Sequence, residues 1–185
     1  MGSGEPVIAH FYVRRISMRR TRKVKKKSQI QESKTADLLG GRTQIASGAI
    51  WSMKADVRTD DYLVENKFTD EDHYSLTRAT WEKIEHEAIN DSLRTPMMQI
   101  DIREQQVVVI DKNLWEVLSK GYSNLNIIAN VSTTKKSYRI TEVIAEKLNI
   151  PTTCLNYSKL TFANNGMREK TLVILSLKNF LGLIE

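Results

Sequence analysis

Between Ser28 and Ile110 the chain switches back and forth between two hydrophobic periodicities, and the order of those switches limits the folds open to it. From Ser28 a helical pattern begins with Ile30 and the set Glu32, Ala36, Leu39 at i, i+4, i+7. It stops at Gly40-Gly41, because glycine readily takes the left-handed cap conformation. A polar loop containing Ser47-Gly48 follows. Residues 55–58 and 62–67 then have strand composition, joined by the turn-forming Thr59-Asp60-Asp61. Residues 76–92 form a second helical stretch with Trp81, Ile84 and Ala88 on one face, ending before Pro96. Residues 97–102 and 106–110 return to strand composition, the second as the branched run Val107-Val108-Val109-Ile110. Helix, strand, strand, helix, strand, strand implies an α/β fold with a mixed central sheet flanked by helices.

The remainder is less regular. Ile140, Val143, Ile144 and Leu148 mark an amphipathic helix stopped before Pro151, Asn164-Asn165-Gly166 is a turn signal, and Thr171 to Leu177 has strand composition leading into Asn179-Phe180-Leu181. Val107 to Leu118 and Leu172 to Leu183 look alike, a weak duplication of a strand-plus-helix unit, although two copies do not make a repeat protein. The expected organisation is a basic arm over residues 1–27, a core over 28–110, and a C-terminal α/β extension over 111–185 that packs on the core or forms a dimer contact.

Charge separates the arm from the rest. The chain holds 28 basic and 22 acidic residues in 185, a formal charge of +6. Arg14, Arg15, Arg19, Arg20, Arg22, Lys23, Lys25, Lys26 and Lys27 crowd into one acid-free stretch, so the other residues are slightly acidic. Such a run attracts phosphate through counterion release, which makes nucleic acid the first partner to consider. A solvated tail and a transit-peptide-like leader remain open, and the Gly-Ser-Gly-Glu-Pro opening is either a cloning remnant or an extended start upstream of Met18. No apolar run approaches the roughly 18 residues that span a bilayer. One cysteine, Cys154, excludes an internal disulfide, and His10, His73 and His86 have no spacing that assembles a zinc site with it. A reducing, cytoplasmic compartment is expected.

The segment that carries chemistry is Val64-Glu65-Asn66-Lys67. On a strand, Glu65 and Lys67 project to one side and Val64 and Asn66 to the other, so a carboxylate and an ammonium share a face. Asp56, on the preceding strand of the hairpin, lies within reach. Two carboxylates on adjacent strands can hold Mg²⁺, which takes one or two carboxylates, several waters and substrate phosphate oxygens. With Lys67 orienting a water, such a group can hydrolyse a phosphodiester, and Glu32 adds a carboxylate from the helix behind the sheet. A Glu-x-Lys on a strand is also a common exposed ion pair, and that alternative stays open on spacing alone.

The ordered set is more specific than its members. Gln31-Glu32, Leu38-Leu39-Gly40-Gly41-Arg42, Ser47-Gly48-Ala49, Asp56-Val57, Leu63-Val64-Glu65-x-Lys67-x-Thr69, Tyr74-Ser75-Leu76, Trp81-x-Lys83-Ile84 and Pro96 before a strand together resemble the PD-(D/E)xK nucleases, specifically the archaeal-type Holliday junction resolvases and their phage relatives. The resemblance covers residues 28 to about 110, with a shorter match at Lys136-Ser137 and Leu172-Val173-Ile174 to Phe180-Leu181 that looks like the extended phage form. It departs from the family at Ala55, where the nominal motif has proline, and at Ser-Gly-Ala, where archaeal members have Ser-Gly-Ser.

The resemblance implies a restriction-endonuclease-like core in which Asp56 and Glu65 bind the metal, with the backbone carbonyl of Asn66 as a further ligand. Lys67 positions or activates the attacking water, Glu32 matches the helix-borne glutamate, and Ser47 the loop serine near the scissile phosphate. Arg42 is a phosphate contact or a helix C-terminal cation. Tyr74 and Ser75 touch the DNA backbone or cap the next helix. His73 is expected to be an exposed loop residue, and Trp51, Trp81 and Trp115 are expected to be packing residues.

The function so implied is a nuclease of DNA recombination and repair, a hydrolase that resolves four-way junctions by paired symmetric cuts. It would use Mg²⁺, with Mn²⁺ as a substitute, and no small-molecule cofactor. It would act as a homodimer without a membrane, in the host cytoplasm if bacteriophage-encoded. DNA would be held partly by Arg19, Arg20, Arg22, Lys23, Lys25, Lys26 and Lys27. The rivals are another PD-(D/E)xK repair or nicking endonuclease, and a non-catalytic nucleic-acid-binding protein.

Overall fold

The computed structural model describes residues 27–44, 55–91, 93–163 and 168–185. Helix α1 (residues 27–38) ends at Gly40, whose φ of 64° is the left-handed cap, and the Gly41 N–H closes the turn on the Ala36 carbonyl at 2.8 Å. Strand β1 (Arg42–Thr43) then pairs antiparallel with β2 (Val57–Arg58), and β2 antiparallel with β3 (Tyr62–Thr69). A Cβ on Gly41 would stand 2.7 Å from the Arg58 carbonyl, so this close approach requires glycine.

The chain continues through β4 (His73–Thr77), α2 (Arg78–Asn90), β5 (Thr95–Ile102), β6 (Gln105–Asp111) and α3 (Lys112–Leu118). It then runs through β7 (Leu125–Thr133), β8 (Ser137–Thr141), α4 (Glu142–Asn149), β9 (Leu155–Phe162), β10 (Lys170–Ser176) and α5 (Leu177–Ile184). The main sheet has eight strands in the order β1-β2-β3-β5-β6-β10-β9-β7, with β3 parallel to β5 and β7 parallel to β9 among otherwise antiparallel neighbours. It is a mixed sheet flanked by helices, as the sequence implies. Its two faces are sealed separately. Leu76, Trp81, Ile84, Val107, Val109, Ile140 and Leu148 form a core beneath α2 and α4, while Ala36, Val108, Ile110, Trp115 and Phe180 form one beneath α1, α3 and α5. Among the described residues no helix is long and apolar enough to cross a membrane.

Apart from β1 and β2 at one edge, the order is symmetric about the β6–β10 seam, and two like units make up the rest of the sheet. β3-β4-α2-β5-β6-α3 is followed by β7-β8-α4-β9-β10-α5, each with a parallel outer pair and an antiparallel inner strand. Val109 and Ile174, each the fifth residue of its strand, pair with one another, as do Ser75 and Arg139, each the third of β4 and β8. Equivalent residues meet in this way only on a two-fold axis. The links across it are reciprocal: Arg78 N–H donates to the Lys136 carbonyl at 3.2 Å and Glu142 N–H to the Asp72 carbonyl at 2.7 Å. The resemblance between Val107–Leu118 and Leu172–Leu183 is the part of this duplication visible in sequence. Residues 111–185 therefore continue the same sheet.

Element boundaries moved where a cap decides them. Helix α2 starts at Arg78, not residue 76, because Thr77 accepts from the Thr80 N–H at 3.0 Å, and Tyr74 and Ser75 lie on a strand and cap nothing. Ile140 belongs to β8 and not to the following helix, whose cap is Thr141. Leu177 opens α5 behind its cap Ser176. Pro96 sits within β5, at its second residue. The turn signal Asn164-Asn165-Gly166 lies outside the described residues.

Candidate active site

The seam between β2 and β3 brings the motif residues together. Asp56 precedes β2, and its N–H donates to the Val64 carbonyl at 3.1 Å, extending the hairpin by one step. Its Oδ2 accepts from the Asn66 N–H at 2.8 Å. Glu65 and Lys67 leave β3 on the face that Leu63 shares with Ala88 of α2, and they form an ion pair. The Asn66 side chain is buried on the other face beside Thr35 of α1, so only the backbone of Asn66 reaches the carboxylates. The alternation of sides follows the strand geometry that the sequence implied.

Electrostatics tie four side chains into one cluster. Burial, then the negative charge of Glu65 and, more weakly, of Glu32, pushes the Asp56 carboxyl up to about 6; the Asn66 N–H and Lys67 oppose the rise. Burial pulls Lys67 down, but the hydrogen bond and charge of Glu65 outweigh it and leave the amine above its ordinary value. Lys67 is thus an ammonium at neutral pH, suited to neutralising and orienting rather than to accepting a proton. Burial also raises Tyr74, which feels both Lys67 and Glu65 and so borders the site. Glu32 is half-buried on α1, with Oε1 accepting from Ser28 at 3.0 Å.

The peripheral residues separate. Arg42 is exposed on β1, paired in register with Arg58, not at a helix terminus. Ser75 is exposed on the outward face of β4, and Tyr74 packs inward. Lys27 opens α1, pairs with Asp70 at 2.7 Å and lies over the Phe68 ring. His73 is on β4, not in a loop, and pairs with Asp72. Trp81 and Trp115 are buried packing residues. Ser47, Trp51, Arg19, Arg20, Arg22, Lys23, Lys25 and Lys26 lie outside the described residues.

Sequence reasoning missed the polar seam beneath α1. Thr35 Oγ1 sits 2.8 Å from Gln99 Oε1 and 3.3 Å from Asn66 Oδ1, and Gln31 Nε2 donates to the Lys67 carbonyl at 3.1 Å. These contacts fix α1, and with it Glu32, against β3. The available signal was that Gln31 and Thr35 are one turn apart, on a helix face that should have been apolar.

Among the described residues no three His, Cys, Asp or Glu side chains are grouped so as to hold a metal ion. Mg²⁺ requires only one or two carboxylates, with waters and substrate oxygens completing its shell. Asp56 and Glu65 fit that demand as hard oxygen donors, and Asp56, raised first by burial and then by the charge of Glu65, is a carboxylate whose charged form a cation would favour. No family model matches the chain, and no curated protein matches it.

Proposed function

We propose that the chain is a Mg²⁺-dependent, structure-selective endodeoxyribonuclease that resolves four-way DNA junctions. The observation that carries this reading is the meeting of the Asp56 and Glu65 carboxylates with the Lys67 ammonium at one strand seam. An ordinary surface Glu-x-Lys pair has no buried carboxylate beside it. The resemblance to the PD-(D/E)xK resolvases supplies the substrate class.

Asp56 and Glu65, with the Asn66 carbonyl, would hold the ion. When bound, Mg²⁺ supplies charge neutralisation at the scissile phosphate and a more acidic water. Asp56 is kept in place by the Asn66 N–H. Lys67, which pairs with Glu65, would offer an ammonium to orient the nucleophile and offset charge gathering on phosphorus oxygens. Glu32 adds negative charge behind Asp56 and so favours cation binding. Among the described residues the chain carries one such set. Matched from the ends of the parallel ladders, Glu65 and Lys67 correspond to Ala129 and Val131 in the second unit. Two symmetric cuts therefore call for two chains, which supports a homodimer.

The test offers a synthetic four-way junction, a linear duplex and a nicked duplex to the full chain with Mg²⁺. Paired symmetric cuts in the junction are expected, and Asp56→Asn should abolish cleavage while keeping or strengthening binding, since a repulsive charge beside phosphate is gone. Equal cutting of linear duplex would point to a repair or nicking endonuclease. Cleavage retained by Asp56→Asn would remove the site assignment.

A further inference from the structure

The two units share a fold but not a charge. The turn between β3 and β4 is Asp70-Glu71-Asp72, and its counterpart between β7 and β8 is Thr134-Lys135-Lys136. The turns are built alike: Glu71 N–H donates to Thr69 Oγ1 at 3.0 Å, and Lys135 N–H to Thr133 Oγ1 at 3.1 Å. On the axis itself, Ser75 faces Arg139. A symmetric backbone with inverted charge indicates that the second unit does something the first does not.

The ribbon lies next to the candidate active site, with the acidic turn at its near end and the basic turn at its far end. Leu76 and Ile140 pack the β4–β8 ribbon onto the α2 and α4 face, from which Glu65 and Lys67 also project. Tyr74 inside the ribbon borders Lys67, whereas Ser75 and Arg139 face outward and are exposed. Lys136 lies against Arg78, at the other end of the ribbon from the acidic turn. Lys135, Lys136 and Arg139 are exposed and have no acidic partner among the described residues. From Tyr74 to Arg78 the ribbon runs roughly 13 Å at about 3.3 Å per residue, the length of about four base pairs of duplex.

We infer that the second unit, lacking the acid and amine of the first, is a backbone clamp. Lys135 and Lys136 bind duplex DNA phosphates about four base pairs beyond the Tyr74 edge of the site, and Arg139, opposite Ser75, binds one closer in. This rests on the proposed nuclease function for its choice of DNA. Phosphate contacts of this kind set register and orientation, not sequence.

The test measures binding of a four-way junction and of a linear duplex to the full chain without divalent cation, across about 50 to 200 mM salt. Changing Lys135→Gln, Lys136→Gln and Arg139→Gln together should weaken both complexes about tenfold or more at low salt. It should also flatten the log–log salt slope by about two to three, at about 0.9 per phosphate released. Lys135→Arg with Lys136→Arg should retain the slope, and Lys112→Gln with Lys178→Gln, on helices of the opposite face, should leave it unchanged. An unaltered slope and affinity in the triple variant overturns the clamp. So does a loss seen with duplex RNA but not with DNA. If wild type binds DNA but never cuts it while the triple variant still loses binding, the nuclease reading fails and the clamp stands. If wild type binds no DNA, both fall.

Discussion

Asp56 makes the site visible in stability as well as in turnover. Its carboxyl is held near 6 in the fold against 3.8 ordinarily, so between those values the folded state binds more protons than the unfolded one. The contribution is therefore fully present below about 3.8 and is lost as pH rises through about 6. After allowance for solvent screening it is about 2 kcal/mol. In chelator, thermal melts of wild type should fall across this window, and Asp56→Asn should melt higher than wild type at pH 7 while following a flatter profile. Mg²⁺ at neutral pH should raise the wild-type melting temperature and leave that of Asp56→Asn unmoved; equal shifts in both would separate the cation from this carboxylate. The neighbouring Ala55 is in the left-handed region at φ 76°, a conformation proline cannot take. The departure from the Pro-Asp motif is thus a backbone requirement here. Ala55→Gly should stabilise the fold by about 1 kcal/mol and Ala55→Pro should destabilise it by more than that, both read by denaturant titration.

Among the elements, α1 holds the site from behind through polar contacts. Thr35→Val would keep the helix and its volume but strip the buried Asn66 and Gln99 amides of a partner, at a cost of about 1 to 3 kcal/mol. A drop of several degrees in melting temperature is expected, with kcat reduced more than DNA affinity, because α1 positions Glu32 and the β3 backbone rather than the substrate. A kcat unchanged at saturating DNA would make the seam purely structural. The same polarity explains which elements the sequence revealed. Strands β6 and β10 were legible because branched apolar runs fill them, β3 and β5 because short apolar stretches follow turn residues or proline, and Glu65 and Lys67 were placed on one face by strand alternation alone. Strand β9 was not, because two of its buried positions are Asn156 and Ser158. Strand β7 sits at the sheet edge with Leu125 and Ile127 exposed, so no core pattern marks it. The end of β4, Leu76 and Thr77, was absorbed into the following helix because Thr77, a side-chain cap, is invisible to hydrophobic periodicity. Electrostatic closeness of Glu32 to Asp56 depends on helix placement, which no local signal encodes.

At the scale of the whole molecule, the duplication makes a two-fold frame with one candidate site among the described residues. A four-way junction offers two equivalent strands, and under the proposed function a single chain would meet both halves of that symmetry but cut only one. If two chains act together, resolution depends on both members being active, whereas nicking depends on either. Mixing wild type with Glu65→Gln at constant total protein, with time for exchange, should make nicking, counted as first cuts whether or not the second follows, fall in proportion to the active fraction and resolved product fall with its square. At equal mixing, nicking would stand at about half and resolution at about a quarter of the undiluted rate, the statistics of a C2 pair. A resolved yield that falls only linearly would mean that one chain makes both cuts. The second unit would then have to present the uncut strand to the same Asp56 and Glu65, and the clamp at Lys135, Lys136 and Arg139 would be the surface across which that strand is passed.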